Sequence, residues 1–269
     1  MDKLVITHNA GFFSCCTIRL IEIVNSFNKN KNLPTIVDSS RQFEFYKSKP
    51  EDISKFYFTE KENNIEYNFE IKLSKTDDEE QFSDYKLLNF DNINPFVEKY
   101  FSLSNEVNSM ILEMEQKYNI DYENTITVFY RGNDKVKETN IGSYDEFLNK
   151  TLECSNSNSE KKIIIQTDDQ GFLNYCKDRI DNSKIIVFDE IPSINSNPTI
   201  AVHHTIISDD KKMFAAYFLA ITKIVSKSNI LITHSGNCGM WVVLFRGNTN
   251  NVYQYLNSKN KSQLVDGWI

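Results

Sequence analysis

The distribution of apolar and polar positions divides the chain into short strand-like and helix-like runs. Leu4 to Thr7 is an apolar, β-branched run of strand length, and His8 to Ser14 is a loop containing Gly11. From Thr17 to Phe27, Ile18, Ile21, Val24 and Phe27 recur at the spacing of one helix face. Thr35-Ile36-Val37 predicts a second strand, which ends in Asp38. Between Lys49 and Ser74 the pattern alternates in places (Phe56-Tyr57-Phe58; Ile65, Tyr67, Phe69, Ile71), which predicts irregular strands. Asn94-Pro95 reads as a helix start with proline in its first turn. Asn105 to Tyr118 predicts a helix with Val107, Ile111, Met114 and Tyr118 on one face, and Asn119 to Asn124 a hinge into the second half.

The second half is more regular. Thr125 to Tyr130 is β-branched and aromatic throughout, as in a buried strand. A helix follows at Ser143 to Leu152, a strand at Lys162 to Gln166, a helix at Gly171 to Arg179 and a strand at Lys184 to Phe188. Asp209-Asp210 then reads as the cap of a long helix burying Met213, Phe214, Tyr217, Phe218, Ile221, Ile224 and Val225. Ile230 to Thr233 is a further strand, broken at His234 to Gly239 before the apolar run Met240 to Phe245. This β-α-β-α-β order implies a parallel sheet covered by helices, an α/β fold.

Composition narrows the function classes. With 269 residues, 40% hydrophobic and 25% charged, the chain has enough apolar material for one large or two small domains. A net charge of −7 argues against a general nucleic-acid binder and leaves room only for a local basic pocket. The five cysteines show no CxxC spacing, so neither a zinc site nor a disulfide framework is suggested. Cys15-Cys16 are read either as small buried residues or as a pair with one thiol of lowered pKa. No signal-peptide pattern and no 18-residue apolar run appear. The expectation is therefore a cytoplasmic chain without a membrane segment.

Candidate chemistry concentrates in three loops at predicted strand ends: Arg131 to Glu138, Thr167 to Asp169, and His234 to Gly239. In a parallel sheet these ends share one edge and can converge on one ligand. Arg131 can clamp a phosphate, with Asn133, Asp134 and Lys135 beside it. The local alternative is that Arg131 pairs with Asp134 and caps a turn. Ser235, Gly236 and Asn237 open a helix whose N–H groups suit a diphosphate. Thr167, Asp168 and Asp169 suit a base or ribose, or else cap the helix that follows. Glu138 is placed to take a proton from an acceptor hydroxyl. In the first half the strand–Gly11–helix unit, with His8, Asn9 and Phe12, offers a second helix start, or else a plain tight turn. His234 is read as a structural hydrogen-bonder or a base. His203-His204, of which His204 is a binding candidate, is read as a loop feature or a ligand pair. No D-x-D lies near a strand end, so no metal ligand is assigned.

Phe129-Tyr130-Arg131-Gly132-Asn133-Asp134-Lys135 resembles the His-x-Arg-Arg-x-Asp-Lys segment of α1,6-fucosyltransferases and the His-x-Arg of protein O-fucosyltransferases. Ile164 to Phe172 is similar to their Thr-Asp-Asp segment, and Ser228 to Trp241 to their Ser-Asp-x-x-Val-x-x-x-Ser-Ser-Gln stretch. The resemblance implies a GT-B architecture of two Rossmann-like domains with a cleft between them. These would be an acceptor-side domain over residues 1–120 and a nucleotide-sugar domain over 121–269. It implies inverting, metal-independent transfer from GDP-fucose to a glycan or protein hydroxyl, with no cofactor beyond the donor. Arg131 would hold the β-phosphate, Asp168 or Asp169 the guanosine, Ser235, Gly236 and Asn237 the diphosphate, and Glu138 would be the base. The chain departs from the pattern where the family His is Phe129, the second Arg is Gly132 and the Gln is Asn237.

Overall fold

The computed structural model describes residues 3–62, 65–75, 81–137, 139–155, 160–193, 211–257 and 267–269, with the backbone alone at Asp134 and Lys137. Glu138, His203, His204 and the Asp209-Asp210 cap lie outside the described residues. So do the side chain of Asp134, the acidic run 76–80 and the Asn/Ser patch 156–159.

The second half builds the sheet. Its strands are β5 (Thr125–Tyr130), β6 (Lys162–Thr167), β7 (Ile185–Ile186), β8 (Ile230–His234), β9 (Val252–Leu256) and β10 (Gly267–Trp268). They lie in the order β10-β9-β8-β5-β6-β7, all parallel except β10. Read from β7 to β9, this is the doubly wound order 3-2-1-4-5, which reverses direction between β5 and β8. Every residue of β5 is buried, as a central strand covered on both faces must be. Helices α5 (Tyr144–Ser155) and α6 (Gln170–Lys177) cover one face over Ile126, Val128, Tyr130, Ile163 and Ile165. Helices α7 (Lys211–Ser226) and α8 (Asn237–Arg246) cover the other over Phe129, Ile164 and Leu231.

The first half adds a layer outside α7 and α8. It contains a two-stranded parallel sheet, β1 (Lys3–Val5) with β2 (Ile36–Asp38), and a two-stranded antiparallel pair, β3 (Phe58–Thr59) with β4 (Ser102–Leu103). Its helices are α1 (Phe12–Asn30), α2 (Ser54–Tyr57), α3 (Phe90–Tyr100) and α4 (Asn105–Tyr118). Helices α1 and α3 contact α8, and α4 contacts α7. One continuous apolar core runs from Ile6 through Phe12, Phe27 and Phe96 to Trp241 and Val252, joining both halves. Trp241 is fully buried at its centre, with the Phe13 ring stacked at 6.1 Å and Phe101 at 4.7 Å. The first half thus has short strands but no wide parallel sheet among the described residues.

Three local expectations change. Helix α1 begins at Phe12, five residues before the predicted start, which shortens the preceding loop. The alternation between Lys49 and Ser74 yields only β3 and an isolated bridge from Ser74 to Leu88. Pro95 lies inside α3, which starts at Phe90, not in its first turn. Proline has no N–H for the carbonyl four residues back. That carbonyl, on Asp91, instead accepts from the Tyr67 hydroxyl at 3.2 Å.

Candidate functional site

Register brings the predicted loops together. Tyr130 pairs with Thr167 across β5–β6, and Val128 with Ile232 across β5–β8. Extending those ladders sets Arg131 level with Asp168 and Ser235, at the carboxyl edge and at the strand-order reversal. There a cleft of about 280 Å³ opens, lined by Arg131, Lys135, Thr167, Asp168 and His234 to Gly239 from the second half. Ala10 to Ser14, Tyr46 and Gln81 line it from the first half. Of the predicted residues, Gly11, Phe12, Arg131, Lys135, Thr167, Asp168, His234, Ser235, Gly236 and Asn237 line this cleft. His8, Asn9, Asn133 and Asp169 do not.

Arg131 pairs with Asp168, whose Oδ2 accepts from its Nε at 2.6 Å. The other carboxylate oxygen accepts from Gly132 N at 2.9 Å, so both oxygens of Asp168 are committed. Arg131 Nη1 donates to Cys238 Sγ at 3.0 Å. Enclosure pushes the Cys238 thiol pKa up, against the pull of Arg131 and Lys135. The carboxylate therefore fixes the guanidinium at the cleft wall and offsets part of its charge. Asp169 is the N-cap of α6: its Oδ1 accepts from Gly171 N at 2.8 Å, and its Oδ2 from the Tyr144 hydroxyl at 2.5 Å. A Cβ at Gly132 would sit 2.3 Å from Asp169 Oδ2, so the second arginine of the resembling segment has no room here. Asn133 donates to the Asp168 carbonyl and ties the loop to β6.

His234 bridges β5 and β8. Its Nε2 accepts from Arg131 N at 2.9 Å and its Nδ1 is 2.7 Å from the Ser235 carbonyl, which fixes the neutral tautomer with the proton on Nδ1. Burial lowers its pKa to about 3, with the Ser235 carbonyl opposing and Lys135 and Arg131 reinforcing the shift. A neutral ring with both nitrogens engaged is a structural bridge rather than a base. Ser235 is also turned inward: its hydroxyl accepts from Gln254 Nε2 at 3.0 Å and Asn257 N at 3.1 Å.

Helix α8 starts at Asn237 behind Gly236, whose φ of +133° suits only glycine. The Gly236 N–H donates to the Gln81 carbonyl at 2.7 Å. The Asn237 amide donates to Gln81 Oε1 at 2.8 Å and accepts from the Thr17 hydroxyl at 2.7 Å. Beyond these, the N–H groups of Asn237, Cys238 and Gly239 have no hydrogen-bond acceptor among the described residues, as first-turn donors of a helix. At Gly239 a Cβ would meet the His234 carbonyl at 2.5 Å, so glycine lets the helix close onto the end of β8. Lys135 reaches over this turn, its Cε 3.0 Å from where a Gly236 Cβ would be.

Opposite stands the start of α1. Phe12 N donates to the Tyr46 hydroxyl at 2.9 Å, and Phe13 and Ser14 follow at the cleft wall. Gly11 has φ −55°, and no described residue lies within 4 Å of where its Cβ would stand, so neither backbone strain nor packing among the described residues demands glycine there. The space beside it is the cleft itself. His8 bonds Ser14 Oγ at 2.9 Å, and Asn9 donates to the Arg41 carbonyl at 2.7 Å and accepts from Glu44 N at 3.1 Å, so both organise the loop behind the cleft. Cys15 and Cys16 are buried and burial raises both pKa values, which leaves protonated thiols.

The site thus sets two cations and two helix N-termini, each worth roughly +0.5 charge, around one cleft with a single described carboxylate, Asp168, in its wall. That arrangement suits a multiply charged anion. Sequence reasoning passed over Gln81, Gln166, Phe214 and Phe218 as cleft residues, whereas Tyr46, in an aromatic set read as core or a sugar platform, and Cys238, in the loop from His234 to Gly239, also line it. Gln166 alone left a signal, as a polar residue directly after Ile163-Ile164-Ile165.

Among the described residues no helix is long and apolar enough to cross a membrane. No protein-family model matches the chain, and no curated protein matches it. Among solved structures, a crystal structure of NodZ alpha-1,6-fucosyltransferase soaked with GDP-fucose is similar at 10% identity and a TM-score of 0.40, over 62% of this chain and 49% of that one. The chain therefore spans about half the length of that protein, and a likeness this weak adds no weight to the reading of the site.

Proposed function

We propose that the chain is a glycosyltransferase that takes a nucleoside diphosphate sugar in this cleft. The donor of choice is GDP-fucose, and the acceptor is a hydroxyl of a glycan or glycoprotein. The observation that carries the reading is the convergence of Arg131, Lys135 and the starts of α1 and α8 on one cleft at the strand-order reversal of the sheet. In an inverting transfer the acceptor oxygen bonds to the sugar C1 as the bond from C1 to the β-phosphate oxygen breaks. The acceptor proton passes to a carboxylate, for which the resemblance offers Glu138, and the diphosphate leaves with the bonding pair. Preorganised positive charge on that leaving group lowers the barrier by several kcal/mol, on the order of what oxyanion donors supply. Arg131, Lys135 and the helix amides fill that role in a mechanism without a divalent ion. The GT-B division near residue 120, with the first half facing the acceptor, belongs to the same proposal.

Thermal-shift measurements against GDP, UDP, ADP, CDP and their sugars, each with Mg²⁺ and with EDTA, test it. The expected result is a rise in Tm with GDP that survives EDTA, and loss of transfer in Arg131→Ala. No shift with any nucleoside diphosphate sinks the reading, and an absolute ion requirement sinks its metal-free form.

A second reading, a nucleotide or glycan binder without turnover, draws on one observation. The Arg131 Nε, the Gly236 N–H and the Asn237 amide are already engaged inside the protein. It predicts binding of GDP or sugar, no transfer, and no change in Glu138→Gln.

A further inference from the structure

Gln166 is the last residue of β6 but one, and it faces the α7 side with Ile164 and its register partner Phe129. It is 7% exposed, yet its carboxamide has no hydrogen-bond partner among the described residues. The cleft it lines also carries apolar side chains: Phe129, its register partner on β5, Phe214 and Phe218 of α7, and Ile191 and Pro192. Its amide atoms are not among the fully enclosed unpaired polar atoms of the described residues, so they reach the open cleft, where a ligand can pair with them.

The position of Gln166 narrows the ligand part it meets. The cationic end of the cleft is at β5 and β8, where phosphates belong in this strand order, and the nucleoside of a bound nucleotide extends over the next strand, β6. The two acidic residues at the end of β6 are occupied, Asp168 by Arg131 and Gly132, and Asp169 by the α6 cap and Tyr144. Gln166 offers a donor and an acceptor side by side in a cleft that also carries aromatic side chains. That is the complement of the polar edge of a flat heterocycle. The geometry points to Gln166 as the residue that selects the nucleobase, by paired hydrogen bonds to its edge between Phe129 and the phenylalanines of α7. This rests on the nucleotide-sugar reading and adds to it where base choice is made.

The test is calorimetric titration of the full chain with inorganic pyrophosphate and with GDP, UDP, ADP and CDP, repeated on Gln166→Leu. The wild-type protein is expected to separate the bases by about tenfold or more in Kd. The leucine variant should bind the preferred nucleotide about tenfold or more weaker, while pyrophosphate stays within about twofold. Equal wild-type affinity for the four bases overturns the assignment, as does a leucine variant that binds the preferred nucleotide normally or loses pyrophosphate equally. Should the leucine variant not fold, Gln166→Glu, which keeps the size and removes the donor, must change the order of base preference or the assignment fails. If wild type binds neither pyrophosphate nor any nucleotide, the diphosphate reading itself falls. Pyrophosphate binding without base discrimination removes Gln166 alone.

Discussion

Three glycines at the site do different work, and only the folded chain separates them. Gly132 is glycine because Asp169 stands 2.3 Å from any Cβ there, and Gly236 because its φ is +133°. Gly11 has neither reason. Gly132→Ala is therefore expected to cost roughly 1–3 kcal/mol through overpacking against a helix cap that cannot easily move. Gly11→Ala should leave stability within about 0.5 kcal/mol, since its backbone is ordinary and its surroundings open. Denaturant midpoints for the two variants check this, and equal losses would show that the loop at 132 adapts. The Arg131–Asp168 pair was hidden from the sequence for a related reason. Asp134 is the nearer carboxylate along the chain, and only the β5–β6 register brings one from 37 positions away.

At the scale of elements, β5 was legible to the residue because every position from Thr125 to Tyr130 is apolar or threonine. The alternation from Lys49 to Ser74 misled because period-two patterning records which side chains are buried, not whether a partner strand lies alongside. Tyr57 and Ile71 are buried in the first-half core without forming a sheet. Strand β9 went unread because Gln254, which looks like a surface residue, interrupts its short apolar and aromatic run. In the fold its amide donates to Ser83 O and Ser235 Oγ and accepts from Tyr85 N. The tie between β5 and β8 through His234 carries a pH dependence. Its folded pKa of about 3 lies below the usual 6.5, so below pH 6.5 the unfolded chain takes up a proton that the folded chain refuses. Stability from this group is complete above pH 6.5 and falls toward pH 3, by at most about 1.4 kcal/mol per pH unit. Chemical denaturation from pH 7 to 4 should show a shallower slope for His234→Gln than for wild type, although the variant starts less stable. Parallel slopes would mean the ring is protonated in the fold.

For the whole molecule, the sheet and its helical cover were foreseeable, and the manner in which the halves join was not. Thr17 of α1 accepts from Trp241 Nε1 at 2.9 Å and donates to Asn237 Oδ1, which stitches the first half to the helix that opens the cleft. No local pattern connects residues more than 200 apart, so this contact was out of reach of periodicity. With one apolar core across residues 6 to 252, heat or denaturant should unfold both halves in a single transition. Fluorescence of Trp241 in the shared core and far-ultraviolet circular dichroism are expected to give coincident midpoints. Two separated midpoints would mean that the layers part before they melt. Thr17→Val, which leaves the buried Trp241 Nε1 without its acceptor, should lower both midpoints together.

The carbonyl of Gln81 already holds the Gly236 amide at 2.7 Å, and its side chain holds Asn237. An anion that wants this helix turn thus meets a seat with an occupant, and its arrival is an exchange rather than an addition. Each bond it forms with those groups displaces one formed at home, so the measured affinity of the resting protein understates the strength of the contacts that greet the guest.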